Sequence, residues 1–96
     1  MNPGQYRILI YDYVSDIVER RDPYRPGHLE NISAHVASGD VVLAGAVGVP
    51  PHSGHIVFAD VDDAVIAAFV AADPYMGAGL ITSWRVEPWM VVAVAE

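Results

Sequence analysis

The chain has 96 residues, enough for one domain near the lower size limit for folding without disulfides or metals. It contains neither cysteine nor lysine, which excludes disulfides, thiolate catalysis and Schiff-base chemistry. Twelve acidic residues against five arginines give a formal net charge of −7, which disfavours binding to nucleic acids and anionic membranes. We therefore expect a single domain over residues 1–96 with no nucleic-acid partner.

Hydrophobic residues make up 53% of the chain, but they occur in short runs. The longest runs, such as Met90 to Ala95, fall far short of the ~20 residues needed to span a bilayer. No basic start followed by an apolar run indicates a signal peptide. These features predict a cytoplasmic protein without a membrane partner.

The first half of the chain is predicted to contain one strand and one helix. Residues 6–14 are rich in β-branched and aromatic side chains, as in a strand, and the polar segment 15–24 is expected to be a loop with at most a helical turn. A helix is predicted from Pro26 to about Ser38, since proline suits a first turn and Gly39 suits a left-handed end. Three apolar residues share one face of this helix: Leu29, Ile32 and Val36.

The second half continues with strands over 41–47, 55–59 and 80–86, and a helix over 63–72. Prolines and glycines predict a loop over residues 48–54, and residues 75–79 are expected to form a loop or short turn. The apolar face of the second helix is predicted to contain Val65, Phe69 and Ala72. Pro88 is expected to interrupt the last strand, and Met90 to Ala95 are compatible with an extra C-terminal edge strand.

The order β-α-β-β-α-β predicts an α+β fold, the ferredoxin-like sandwich with two helices on one face of an antiparallel sheet. If the other face met water, apolar and polar residues should alternate along the strands. Instead, three strands contain consecutive apolar residues, Ile8–Ile10, Val41–Leu43 and Ile56–Phe58. Because two helices cover only one face, we expect a homodimer in which a second subunit covers the other.

Several short motifs in this order resemble the YCII-related (YciI-like) family. They extend over about residues 6 to 89, and the set is more specific than any single motif. The motifs are Arg25-Pro26-Gly27-His28-Leu29, Ser38-Gly39-Asp40, Leu43-Ala44-Gly45, Asp73-Pro74-Tyr75, Ala78-Gly79-Leu80 and Glu87-Pro88-Trp89.

The resemblance implies a dimeric α/β barrel and a site built on a histidine and an aspartate, which match His28 and Asp73. Most members have no assigned reaction, and one eliminates hydrogen chloride from a chlorinated hydroxyquinol. This chain departs from the family pattern at Ala46, where members often have proline, and in the segment 15–24. Both departures are expected to alter the shape of the pocket.

His28 and Asp73 are the candidate catalytic residues. His28 lies near the start of a helix, where the helix dipole favours the neutral imidazole that a general base requires. Asp73 follows a helix, where a carboxylate is electrostatically disfavoured, and such a placement hints at function. If the two side chains meet, Asp73 would orient the imidazole. The alternatives are structural: His28 caps or packs its helix, and Asp73 caps the turn at Pro74.

Three further residues are candidates for substrate binding. Arg25 could reach a substrate anion, although a solvated surface arginine explains it too. Tyr75 could line an apolar pocket, as could Trp89, although aromatic residues more often belong to cores or interfaces. Ser53 lies in the Pro/Gly loop, which could cover a site.

The remaining histidines do not form a metal signature. His52 and His55 are three residues apart without a third ligand nearby, and His35 follows His28 by seven residues on roughly the same helix face. No phosphate-binding or dinucleotide motif is present, so we expect neither metal nor cofactor.

Three functions remain compatible with the sequence. The first is a small lyase- or isomerase-like enzyme acting on a cyclic or aromatic molecule. The second is a non-catalytic module that binds a small molecule. The third is a structural dimer in which His28 and Asp73 only stabilise the helices.

Overall fold

The computed structural model describes residues 1–96 and contains one four-stranded sheet with four helices. The strands are β1 (Gly4–Tyr13), β2 (Val41–Val47), β3 (Ser53–Phe58) and β4 (Ile81–Val91). The helices are α1 (Ile17–Arg20), α2 (Arg25–Ser38), α3 (Asp63–Ala72) and α4 (Pro74–Gly77). The sheet order is β2-β3-β1-β4, and all neighbouring strands are antiparallel. This is the predicted ferredoxin-like arrangement.

The core lies between the helices and one face of the sheet. Residues along a strand point alternately to opposite faces, and the buried Leu9 and Tyr11 of β1 face the helices. Phe69 of α3 packs edge-on against Phe58 of β3, with ring centroids 5.3 Å apart. None of the four helices has the combination of length and hydropathy that a transmembrane span requires.

The C-terminal part of the sheet differs from the prediction. β4 passes through Pro88 without a break and ends at Val91, so residues 92–96 form no fifth strand. Pro88 lies opposite Arg7 of β1. Because β4 is an edge strand, one side of its backbone has no neighbouring strand, and a proline that lacks an N–H is tolerated there.

Both long helices bury a face that overlaps only in part with the predicted one: Ile32 of α2 and Phe69 of α3 pack in the core as expected. In α2, Leu29 and Val36 are 44% and 50% exposed, and His28 is the one buried residue. Besides Ile32, polar residues of α2 make inward contacts: Asn31 donates to the Phe69 carbonyl at 3.0 Å, and His35 packs edge-on against the Phe69 ring. In α3, the buried residues are Ile66, Phe69 and Val70, whereas Ala72 is exposed.

Candidate active site

His28 and Asp73 meet in the interior although they are 45 residues apart. Nδ1 of His28 lies 2.9 Å from both carboxylate oxygens of Asp73. The two residues are 6% and 2% exposed. Since a carboxylate only accepts, the imidazole donates its Nδ1–H, which leaves Nε2 as the ring nitrogen available to another molecule.

A close approach between α2 and α4 makes this contact possible. Gly27 precedes His28 in the first turn of α2 and lies against Pro74 of α4. A Cβ atom at Gly27 would lie 2.9 Å from Pro74 Cγ, closer than real Cβ atoms approach a neighbour. The glycine therefore allows the start of α2 to reach the residue that follows Asp73.

Asp73 connects α3 to α4 and is the N-cap of α4. Its Oδ1 accepts the backbone N–H of Tyr75 at 3.0 Å, and Pro74 occupies the first turn, where its missing N–H has no cost. The expectation that this is an unfavourable place for a carboxylate is therefore wrong, because the side chain faces the N–H groups of the next helix. Asp73 caps this helix and holds His28 at the same time.

Tyr75 forms one side of the histidine environment. Its ring stacks on the imidazole of His28, with centroids 3.8 Å apart and planes within 2° of parallel. Tyr13 of β1 packs edge-on against Tyr75, with centroids 6.2 Å apart. The His28 ring is thus fixed by Asp73 at Nδ1 and by Tyr75 on its face.

A cavity of about 190 Å³ opens beside this cluster. It lies between the start of α2, the α1 segment and the strands β2 and β3. Twelve residues line it: Tyr13, Ile17, Arg21, Arg25, His28, Leu29, Ile32, Ala44, Gly45, Ala46, Ile56 and Tyr75. The two regions that were expected to alter the shape of the pocket, Ala46 and the segment 15–24, both contribute to the wall.

The structure brings together four of the five candidate site residues. Arg25, His28 and Tyr75 line the cavity, and Asp73 supports His28 from behind. Ser53 is elsewhere: it is the first residue of β3 rather than part of a covering loop. It lies beside Gly54, which faces Tyr13, so strand alternation directs Ser53 to the opposite face of the sheet.

Trp89 does not line the cavity either. It lies on β4 opposite Tyr6 and is 40% exposed. The strand β4 lies beyond β1, two positions from β3 and three from β2, whereas the cavity opens over β2 and β3. The expectation that this tryptophan contributes to the pocket is therefore wrong.

Tyr11 and Tyr13 belong to the site but were not among the candidates. Residues i and i+2 of a strand share a face, so the Tyr11-x-Tyr13 pattern could have indicated two hydroxyls on the helix side of β1. The Tyr11 hydroxyl is buried and has no hydrogen-bond partner. Burial raises the pKa of this hydroxyl above its usual range, and the negative charge of Asp73 raises it further.

The tyrosines make the stability of the fold sensitive to alkaline pH. Burial raises the pKa of Tyr13 from 10.0 to about 12, with a further contribution from Tyr75. Its stabilising contribution is therefore complete below about pH 10 and is lost as the pH rises to about 12, because the unfolded chain ionises first. We expect the free energy of unfolding in urea to fall across this interval and to fall less steeply in Tyr13→Phe.

The exposed Tyr24 provides the control for this titration. Tyr24→Phe should keep the wild-type dependence on pH. An unchanged pH dependence in Tyr13→Phe would contradict the proposed role of its buried hydroxyl.

The sequence of the chain also matches a known protein family. The sequence model of the YCII-related domain matches residues 5–90. The chain belongs to the YCII-related family. No curated protein matches this YCII-related protein in sequence.

Solved structures with the same fold have low sequence identity to this YCII-related protein. The 5-chloro-2-hydroxyhydroquinone dehydrochlorinase of Burkholderia phenoliruptrix, in complex with 2,5-dihydroxybenzoquinone, is 16% identical with a TM-score of 0.72, covering 88% of this chain and 92% of that one. A dimeric ferredoxin-like protein from an uncultured marine organism is 11% identical with a TM-score of 0.57, covering 99% and 93%. An Agrobacterium tumefaciens protein is 17% identical with a TM-score of 0.54, covering 88% and 90%.

Proposed function

We propose that this YCII-related protein is a small enzyme that uses His28 as a general acid/base on a small cyclic or aromatic molecule, without a cofactor. The observation that supports this most strongly is a buried His28–Asp73 pair at 2.9 Å whose histidine lines an open cavity. A histidine that only stabilised a helix pair would need neither the cavity nor a free Nε2. The catalytic roles of His28 and Asp73 stay predictions from the sequence.

The chemistry follows from the tautomer that Asp73 selects. With Nδ1–H donated to the carboxylate, Nε2 of the neutral ring has a lone pair and accepts a proton from a substrate O–H or C–H group. The electrons of that bond move into the substrate, where they expel a leaving group with its bonding pair or shift a double bond. Asp73 stabilises the imidazolium that forms, which returns its proton to solvent or to the product.

The size and lining of the cavity favour a ligand with a single ring. A cavity of about 150 Å³ lined by apolar side chains accommodates benzene, so about 190 Å³ leaves room for a ring with a few small substituents. Ile17 and Ile56 provide apolar surface, and Tyr13 and Tyr75 provide aromatic surface. The dehydrochlorinase with this fold holds 2,5-dihydroxybenzoquinone, a ligand of that size.

The test is turnover of single-ring compounds by wild type and His28→Asn. We would screen chlorinated and hydroxylated single rings, beginning with 5-chloro-2-hydroxyhydroquinone, and measure chloride release and the ring absorbance. Loss of the acid/base group should lower the turnover number by about 100-fold or more. His35→Asn is the matched control, since His35 lies on the same helix outside the cavity.

Two results would contradict the enzyme proposal. Full activity in His28→Asn would remove the histidine from the mechanism. Tight binding of single-ring compounds without turnover of any of them, unchanged in His28→Asn, would instead favour a non-catalytic binding module.

We also propose that the protein forms a homodimer through the uncovered face of the sheet. Ile8 and Ile10 alternate with the buried Leu9 and Tyr11, so they face away from the helices. Leu43 and Val47 of β2 are 45% and 42% exposed. A second sheet packed on this face would bury these side chains. One of the structures with this fold is described as dimeric.

Sedimentation equilibrium tests the dimer. We expect twice the mass of the chain for wild type and the mass of a single chain for Ile10→Asp, which places a charge in the proposed interface. Leu29→Asp, an exposed position on α2, should leave the dimer intact. A monomeric wild type at high protein concentration would rule the dimer out.

A further inference from the structure

Charge is distributed unevenly around the cavity. The chain has twelve acidic residues and a formal net charge of −7, yet none of the twelve residues that line the cavity is acidic. Two of the five arginines, Arg21 and Arg25, do line it. In a chain with so few cations, two at one small cavity create a local positive potential against an acidic background.

Neither arginine is neutralised by the protein. Arg7 pairs with Asp63 and Arg20 with Asp16, whereas Arg21 and Arg25 form no ion pair. Asp73, the buried carboxylate behind His28, is already engaged by His28 and by the Tyr75 backbone. Neither positive charge is therefore cancelled by a carboxylate, although Arg25 also lies close to the Tyr75 hydroxyl, and both guanidinium groups keep N–H donors for a ligand.

The backbone places the two arginines on the same side of one turn. The N–H of Arg25 donates to the Arg21 carbonyl at 2.9 Å, which closes a helical turn between α1 and α2. Side chains four residues apart on such a turn are neighbours. Arg21 is half-buried in the wall and Arg25 is exposed at the rim.

The positive charges of Arg21 and Arg25 act on the hydroxyl group of Tyr75. Burial raises the pKa of the Tyr75 hydroxyl above its usual range, and the charges of Arg21 and Arg25 oppose that rise. The field of the arginines therefore extends to the ring that stacks on His28.

We infer that the cavity selects a small anionic ring compound whose negatively charged oxygen is held by Arg21 and Arg25. This inference rests on the proposed function, because it names the substrate class of the same cavity. A guanidinium group presents a planar set of donors that matches a carboxylate or an enolate oxygen, and such bonds are strong where water is partly excluded. The volume of about 190 Å³ suits a ligand with one ring.

The experiment compares benzoate with benzamide, which have nearly the same shape and differ in charge. Isothermal titration of wild type should give at least about tenfold tighter binding of benzoate, since hydrogen bonds to a charged group are worth more than neutral ones. Arg21→Gln should remove most of that preference and leave the affinity for benzamide unchanged. Titration with 2,5-dihydroxybenzoquinone then distinguishes an acidic enol from a carboxylate as the preferred anion.

Arg20→Gln is the matched control, because it removes the same charge from α1 outside the cavity. It should bind both ligands as wild type does. Three results would overturn the inference. The first is that wild type binds benzoate and benzamide with equal affinity, and the second is that it does not bind benzoate. The third is an equal loss of benzoate affinity in Arg20→Gln and Arg21→Gln.

Failure of the proposed function would give a different result. If the protein is not an enzyme, no compound is turned over, but the benzoate preference and its loss in Arg21→Gln persist. If the enzyme proposal is right and anion selection is wrong, neutral rings are turned over as well as anionic ones.

Discussion

Asp73→Asn is expected to lower turnover by about 100-fold or more while changing ligand affinity only slightly. The asparagine keeps the shape of the side chain but loses the charge that orients and stabilises the imidazolium. Its amide can also turn a donor toward Nδ1 of His28, which would favour the wrong tautomer. Separate measurements of the turnover number and the dissociation constant test this expectation.

A second readout does not depend on the substrate. Nitrogen-15 NMR of the histidine rings should show the Nδ1–H tautomer at His28 in wild type and its loss in Asp73→Asn. Urea unfolding should show a cost of about 1–3 kcal/mol from the disturbed buried pair. Asp60→Asn, at an exposed position, should match wild type in each measurement. Unchanged turnover in Asp73→Asn would contradict the role of the carboxylate.

Gly27→Val is expected to separate α2 from α4 and to disturb the site. The new side chain would occupy the space of Pro74, whose Cγ lies 2.9 Å from the position of a Cβ at Gly27. Relief of that overlap requires the start of α2 to move, which carries His28 away from Asp73. We expect a loss of about 1–3 kcal/mol in the free energy of unfolding and weaker ligand binding.

The control for this prediction is Gly77→Ala in α4. A Cβ at Gly77 meets no atom within 4 Å, so this substitution should leave stability unchanged or raise it slightly. Urea midpoints and ligand affinities of the two variants can be compared directly. Wild-type stability and affinity in Gly27→Val would show that the helices do not depend on this close approach.

The order of the elements could be predicted because it depends on local patterns. Runs of β-branched residues indicate strands, and proline and glycine mark the ends of helices, as Gly39 does with its left-handed backbone. The path of β4 through Pro88 could not be predicted in this way. Whether a proline interrupts a strand depends on its position at the edge or in the centre of the sheet, which is a property of the assembled fold.

The buried faces of the helices were predicted less well. Apolar spacing selected Leu29, Ile32 and Val36 in α2, and of these only Ile32 packs against the core. The rest of the inward side of that helix has His28, Asn31 and His35. Each of these polar side chains has a hydrogen-bond partner: His28 has Asp73, Asn31 has the Phe69 carbonyl, and His35 has the Asn31 carbonyl of its own helix. They can therefore be buried without a large cost. A pattern of hydrophobicity does not register partners that are distant in the sequence.

The site could be predicted only in part, because contacts between distant residues depend on the packing of the fold. The family resemblance selected His28 and Asp73, whereas their contact depends on how the helices pack. Arg21 lies in a segment without a family pattern, and its place in the cavity wall follows from the fold of α1. The ring of Tyr11 is apolar, so in the sequence it resembles an ordinary core residue. Only its buried hydroxyl, which has no hydrogen-bond partner, distinguishes it from the rest of the core.

A crystal structure of the protein with 2,5-dihydroxybenzoquinone is the most direct test of the proposed acid/base role. We expect the ring of the ligand inside the cavity, with an oxygen atom or a hydrogen-bearing carbon atom within about 3.2 Å of His28 Nε2. Asp73 should keep its contact with Nδ1. A ligand bound outside the cavity, or one inside it that leaves Nε2 facing only protein atoms, would contradict the role of His28 as general acid/base.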